Sequence, residues 1–193
     1  MYREVLRNAH FFELLFRIDE EESQRVRVCG CPYCGGVLYV GHFDRKPRGI
    51  LLDPGKLPAG FRVRFDWCCG RCRRRTMPPS VRFLGPKVYL AVVVAIATVV
   101  GQGSDGDARR LLGRELGVSW HTLARWRQWW CELTGSDFWQ RIRGKLPVKL
   151  EMSCLPKALL DSFEGEITER LRHLLELLGP ITGSFPVTLR GAR

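Results

Sequence analysis

Through residues 2–18 apolar residues recur at Val5, Leu6, Ala9, Phe12, Leu15 and Phe16, with charged residues between them. That spacing predicts an amphipathic helix over 2–18. Glu20-Glu21-Glu22 interrupts the pattern, and Val26 and Val28 predict a short strand leading to residue 29. Val37-Leu38-Tyr39-Val40 reads as a strand, and Phe61–Trp67 alternates apolar and charged residues with period two, as a strand with one buried face does. Val81-Arg82-Phe83 is the candidate third strand. From Pro86 the pattern turns helical. Val88–Val100 is apolar on most sides and predicts a buried helix, with a buried strand as the alternative because valine is a weak helix former. Gly101–Gly106 is a flexible break. Short helices are expected near Asp137–Lys145 and Glu166–Leu178, the second stopped by Gly179-Pro180, and the tail after Gly183 reads as loose.

Between these lies a two-helix pattern. Asp107 caps a helix carrying Ala108, Leu111, Leu112 and Glu115. Leu116-Gly117-Val118-Ser119 turns the chain: Gly117 permits the left-handed backbone of a tight turn, and Ser119 caps the next helix, Trp120–Trp130. At 100° per residue Leu123, Trp126 and Trp130 share one face, and His121, Ala124, Arg125 and Gln128 the opposite one. A hydrogen-bonding, cationic outer face suits a DNA major groove, where arginine pairs with guanine and glutamine with adenine. Ser119, Trp120, Thr122 and Arg127 flank that face as candidate phosphate or sugar contacts. The plainer alternative is a helical hairpin with a solvated polar face.

Charge sharpens this picture. The chain of 193 residues carries a formal net charge of +11. Residues 29–85 contribute +8 and residues 86–145 contribute +4, while 1–28 carry −1 and 146–193 carry 0. A basic excess confined to the middle of the chain favours a polyanionic partner. Arg71, Arg73, Arg74 and Arg75 form its densest cluster. No segment predicts a signal peptide or a membrane span, so a cytoplasmic, nucleoid-associated location is expected.

Cysteine spacing supplies the candidate chemistry. Cys31-Pro-Tyr-Cys34 and Cys69-Gly-Arg-Cys72 are two C-x₂-C turns, each adjoining glycine. Two such pairs complete a tetrahedral Cys₄ shell for one structural zinc ion, the pattern of a zinc ribbon. The 34 residues between Cys34 and Cys69 exceed the usual separation, and Gly41–Gly60 reads as an inserted hairpin or loop. Cys29 and Cys68 are spare by spacing, Cys131 and Cys154 read as buried thiols, and His42 reads as a solvated loop residue. A sheet this small has almost no core of its own, so the metal is expected to hold it. A thiol redox enzyme is disfavoured, because there are two pairs and no thioredoxin-like βαβ context.

Leu116-Gly-Val-Ser-Trp-His-Thr-Leu-Ala-Arg-Trp126 resembles the helix-turn-helix of bacterial insertion-sequence transposases and related regulators. Cys69-Gly-Arg-Cys-Arg-Arg-Arg-Thr76 and the following Pro-Pro-Ser-Val-Arg-Phe-Leu84 resemble the second half of the zinc ribbon preceding that motif in several transposase families. The resemblance covers about residues 29–130. It implies Cys31, Cys34, Cys69 and Cys72 as metal ligands and His121, Arg125 and Gln128 as base readers. Such transposases also carry a ribonuclease-H-like domain with three carboxylates holding two metal ions. The 63 residues after Trp130 are too few for it, and Glu151, Asp161, Glu164 and Glu166 read as solvated charges.

The expectation is therefore an α+β protein: an N-terminal helix and lead-in strand (1–28), a zinc ribbon (29–85), an all-α helix-turn-helix domain (86–145) and a C-terminal helical extension with a loose tail (146–193). It is expected to bind double-stranded DNA, without catalysis, as a transposase-related accessory protein or regulator. A separate transposase or recombinase, or a second copy, is the expected protein partner. The alternative is a ribbon that recruits a recombinase or RNA polymerase.

Overall fold

Asn8 starts the longest element. Its side chain accepts the Phe11 N–H at 3.1 Å and caps α2 (Ala9–Cys29), which follows a single turn, α1 (Tyr2–Val5). A computed structural model describes residues 2–84, 89–102, 110, 113–144, 146 and 155–184. Pro86, Asp107, Ala108, Leu111, Leu112, Cys154 and the tail beyond residue 184 lie outside the described residues.

The expected lead-in strand does not form, because α2 runs through Glu20–Glu22 and Val28 to Cys29. Glutamate and arginine are good helix formers, and Arg25 pairs with Glu22 one turn away. Nothing stops the helix before Gly30, which caps it at φ 74°. Val28 lies on the outer helix surface, 86% exposed.

Five short strands form two antiparallel sheets. β1 (Leu38–Val40), β4 (Trp67–Cys69) and β5 (Arg75–Thr76) pair in the order β1-β4-β5, with Tyr39 opposite Cys68. β2 (Phe43–Asp44) pairs with β3 (Val63–Arg64). The single strand expected over 61–67 is thus split between two sheets. Its alternation fails because both charged residues at its centre are buried. Asp66 accepts the Trp67 N–H at 2.9 Å and pairs with Arg75. Arg64 donates to the carbonyls of Pro78 (2.7 Å) and Thr182 (3.1 Å). Burial lowers the Arg64 guanidinium to about 10.

The third strand is β5, not 81–83. Residues 80–82 instead wrap one carboxylate: Asp19 accepts from Ser80 Oγ (2.5 Å), Val81 N (2.7 Å) and Arg82 Nε (2.7 Å). Both charged partners are fully buried. Arg82 also donates to the carbonyls of Phe61 and Val63 and lies against the rings of Phe16, Phe61, Phe65 and Phe83. This network ties α2 to residues 80–82 and to the segment that enters β3.

Five further helices have both ends among the described residues: α3 (Ala91–Gln102), α4 (Trp120–Thr134), α5 (Asp137–Arg143), α6 (Lys157–Asp161) and α7 (Ile167–Leu178). α7 is followed by a 3-10 turn at Gly179–Thr182. α3 is buried almost throughout and takes in Gly101 and Gln102, the first two residues of the expected break; the rest of that break, 103–106, lies outside the described residues. Leu123 of α4 packs on that glycine, where an added Cβ would sit 3.0 Å from its Cδ2. One apolar cluster takes in Phe12 of α2, Phe61, Phe83, α3, Trp126 and Trp130 of α4, Trp139 of α5 and Leu171–Leu178 of α7. A second, small cluster comprises Cys31, Leu38, Trp67 and Cys69. The architecture is α+β, and no helix among the described residues is long and apolar enough to cross a membrane.

The inserted segment is not a detached loop. Arg48 bridges to Tyr89, and Gly49, at φ 84°, sits so close to α3 that a Cβ would lie 2.7 Å from Val93 Cγ1. Cys131, expected to be buried, is exposed, because it shares the outer face of α4 with Ala124 and Gln128.

Candidate metal centre and basic surface

The two cysteine turns have the same backbone. In the first, Cys31 N–H donates to Gly36 O (2.9 Å) and Gly35 N–H donates to Cys31 O (2.7 Å). In the second, Cys69 N–H donates to Arg74 O (3.0 Å) and Arg73 N–H donates to Cys69 O (3.0 Å). The fifth residue of each turn has positive φ, 69° at Gly35 and 62° at Arg73. α2 delivers the first turn and β4 the second.

The turns bring four sulfur atoms together. Cys31 Sγ lies 3.6 Å from Cys72 Sγ, and Cys34 Sγ lies 3.5 Å from Cys69 Sγ. All four lie within 4.8 Å of one another. A tetrahedral centre with metal–sulfur bonds of about 2.3 Å has sulfur–sulfur edges of about 3.8 Å. The cluster is therefore a possible metal site compatible with one structural ion, and its soft donors fit a thiophilic metal. Gly36 leaves room for it: an added Cβ would lie 3.1 Å from Cys69 Sγ and 3.3 Å from Cys34 Sγ.

The electrostatics of the site point the same way. The backbone N–H of Cys72 lowers the Cys69 thiol to about 6, helped by the N–H of Arg71 and opposed by burial. At Cys72 the Arg74 N–H favours the thiolate, but burial and three neighbouring sulfurs outweigh it and push the thiol up to about 12. Adjacent sulfurs cannot all ionise without a counter-charge, and a divalent cation supplies one.

Cys29 is exposed at the end of α2, and Cys68 Sγ is turned toward the carbonyls of Cys69 and Arg73; neither joins the cluster. His42 is not a ligand either. Its Nδ1 lies 3.1 Å from the Asp66 N–H, and its ring packs edge-on to Trp67 at 4.8 Å. Trp67 Nε1 donates to Ser23 of α2, at 3.2 Å to both O and Oγ, and so clamps the sheet to the helix that carries Cys31. Sequence reasoning missed Ser23, whose partner Trp67 lies 44 positions away, and Asp66, whose pairing with Arg75 no local pattern marks.

The arginine cluster divides. Arg71, Arg73 and Arg74 are exposed, with the Arg74 guanidinium 4.6 Å above the Tyr33 ring. Arg75 is held by Asp66 and by Gly41 O (2.8 Å).

Before α4, residues 113–116 are helical, Gly117 turns at φ 62°, and Ser119 Oγ accepts the Thr122 N–H at 3.2 Å. Leu123, Trp126 and Trp130 are buried, as their spacing requires, and Trp130 Nε1 donates to Thr98 of α3 at 3.1 Å. His121, Ala124, Arg125, Arg127 and Gln128 are exposed, as is Trp120 at 58%. Arg125 reaches Thr122 Oγ1 at 3.4 Å, and Gln128 reaches Glu132 at 3.3 Å. Tyr89 braces this unit: its hydroxyl donates to Gly117 O at 2.8 Å and its ring meets Trp126 edge-on at 5.0 Å.

No family model, curated protein or solved structure matches the chain.

Proposed function

We propose that the chain is a sequence-specific double-stranded DNA-binding protein without catalytic activity of its own. In this reading Cys31, Cys34, Cys69 and Cys72 hold one structural zinc ion in a zinc ribbon. The ion supplies the positive charge that lets four thiolates sit together. Residues 113–134 act as a helix-turn-helix with α4 as its recognition helix.

The observation that carries the reading is the division of α4. Its apolar residues are buried against α3, its N-terminus is capped at Ser119, and its outer face offers His121, Arg125 and Gln128 with no internal ion pair on Arg125 among the described residues. Those groups reach base edges; Ser119, Trp120, Thr122 and Arg127 adjoin the backbone of the same groove. Arg71, Arg73 and Arg74 contact phosphate beside the metal, while Arg75 chiefly stiffens the ribbon through Asp66. In this reading, which the sequence resemblance to insertion-sequence transposases supports, the protein works beside a separate transposase or recombinase, as an accessory subunit or a regulator.

Selection of bound duplexes from a random pool tests this reading. A shared sequence motif is expected. Arg125→Ala should relax preference at one position, with a cost of about 1–3 kcal/mol there, and Arg74→Ala should weaken all duplexes alike and flatten the salt dependence. Equal affinity for selected and random duplexes would remove the base-reading role of α4.

One observation favours a second reading, a ribbon that docks a protein. Val37, Tyr39 and Val40 stand 68%, 61% and 67% exposed beside the metal site.

A further inference from the structure

β1 is the terminal strand of its sheet. Gly70 N–H donates to Val37 O at 3.0 Å, and Gly41 N–H donates to Asp66 O at 2.9 Å. In an antiparallel pair the backbone groups alternate sides. Val37, Tyr39 and Gly41 therefore face β4, and Leu38 and Val40 direct their N–H and C=O groups along the outer edge. No other strand among the described residues pairs there. Exposed edges are ordinarily guarded by lysine, proline or a bulge, whereas this one is flanked by exposed Val37, Tyr39 and Val40.

A groove of about 380 Å³ runs between this edge and the last turn of α2, with Val28 on its far wall. A shallower groove lies on the sheet's other side, over Gly70. The charged residues lining the two are Arg27, Arg71 and Arg73, and no carboxylate lines either. The Tyr39 ring lies against Gly70, where an added Cβ would sit 2.5 Å from it and displace the ring.

We infer that the outer edge of β1 docks an extended segment of a partner protein, apolar at alternate positions and carrying Asp or Glu beside them. The partner's backbone pairs with Leu38 and Val40, its apolar side chains, all on one face of the added strand, fill the groove beside α2, and the carboxylates between them meet Arg71 and Arg73 on the other face. A second copy of this chain would bring the same arginines face to face. Single-stranded nucleic acid would satisfy the arginines but leave the strand edge and the valines unmatched. The inference does not depend on α4 reading DNA.

The test is selection from a phage-displayed library of random 12-residue peptides against the full, zinc-loaded chain. Enriched peptides should alternate apolar residues and carry Asp or Glu. Val40→Pro removes an outward N–H that the sheet does not use, and the preceding Tyr39 is already extended. It should weaken a selected peptide about tenfold or more while zinc content and duplex affinity stay at wild-type values. Val40→Lys serves if the proline variant does not fold, with the same expectation. The inference is overturned if no peptide is enriched over Val40→Pro wells, or if the selected peptides are basic. It is equally overturned if light scattering finds a dimer that Val40→Pro dissolves, or if Val40→Pro weakens peptide and duplex alike.

Discussion

The apolar cluster around α3 and the small cluster behind the cysteines differ in what sustains them. The first gathers side chains from α2, α3, α4, α5 and α7, and α3 is buried on nearly every side. Burial of this kind stabilises by area, at roughly 25 cal/mol per Å² of apolar surface. The second has four buried members, and two of them are metal-ligand candidates. Leu38 and Trp67 alone cannot order a sheet of two- and three-residue strands. One region is held by the solvent it excludes; in the proposed reading the other is held by an ion on its four sulfurs. The Asp19–Arg82 network and the Trp67–Ser23 clamp join them through α2.

The largest expected effect comes from taking the metal away. Chelation, or Cys69→Ser, should let amides of 38–40 and 67–76 exchange with deuterium, while 91–99 and 171–178 stay protected in hydrogen-exchange mass spectrometry. Binding of a structural zinc ion contributes on the order of 10–16 kcal/mol in small domains, far more than the small cluster can supply. Loss of protection in all segments would mean the two regions are one cooperative unit. Unchanged protection everywhere would mean that the four thiols hold no structural ion.

Asp19→Ala should come next, at about 3–5 kcal/mol in denaturant unfolding, because it leaves the Arg82 guanidinium buried without its counter-charge. Unlike chelation, it should lower protection in both regions, since the carboxylate anchors α2 to residues 80–82. An effect confined to one region would break the link drawn here between them.

The contrast also explains what could be read from sequence. The cysteine turns were legible because each is a local device: spacing, glycine and thiol chemistry lie within six residues. The division of α4 was legible because helical period alone separates Leu123, Trp126 and Trp130 from Arg125 and Gln128. Asp19 and Arg82 were not legible, being 63 positions apart with no pattern to pair them. The same long-range pairing misled the strand assignments. Arg64 and Asp66 had seemed to mark a solvent face, and both are buried, Arg64 on the Pro78 and Thr182 carbonyls and Asp66 on Arg75. Residues 80–82 wrap a carboxylate instead of extending a sheet. Glu20–Glu22 looked like an interruption only because hydrophobic period was weighed above the helix propensity of the charged residues.

A smaller effect attaches to an exposed ion pair outside both regions. Partial burial raises the Asp161 carboxyl, but hydrogen bonds from Lys157 and Arg170 outweigh it and hold it below the usual carboxylate range. The folded pKa lies below the unfolded one, so the contribution is present near neutral pH and is lost as pH falls through the folded value. Asp161→Asn should cost less than about 1 kcal/mol at pH 7, as exposed pairs do. The difference from wild type should shrink below about pH 4. A gap that widens on acidification would reverse the assignment.

The smallest change sharpens the comparison most, because it sets one cysteine turn against the other. Gly35 and Arg73 occupy equivalent positions with φ of 69° and 62°. Glycine adopts that conformation freely, whereas an L side chain pays about 1–2 kcal/mol for it. Arg73→Gly should therefore raise stability by up to about 1 kcal/mol in denaturant titration, with the metal still bound. If Arg73 contacts phosphate, the same variant should weaken duplex binding and reduce the salt slope by about one. Arg73→Lys, which keeps both the charge and the strained backbone, should change neither quantity appreciably. Opposite signs for stability and affinity in Arg73→Gly would mean that the second turn carries a backbone cost in return for a cation beside the metal. A destabilised glycine variant would place the value of Arg73 in packing instead, and the asymmetry between the two turns would then have no bearing on DNA.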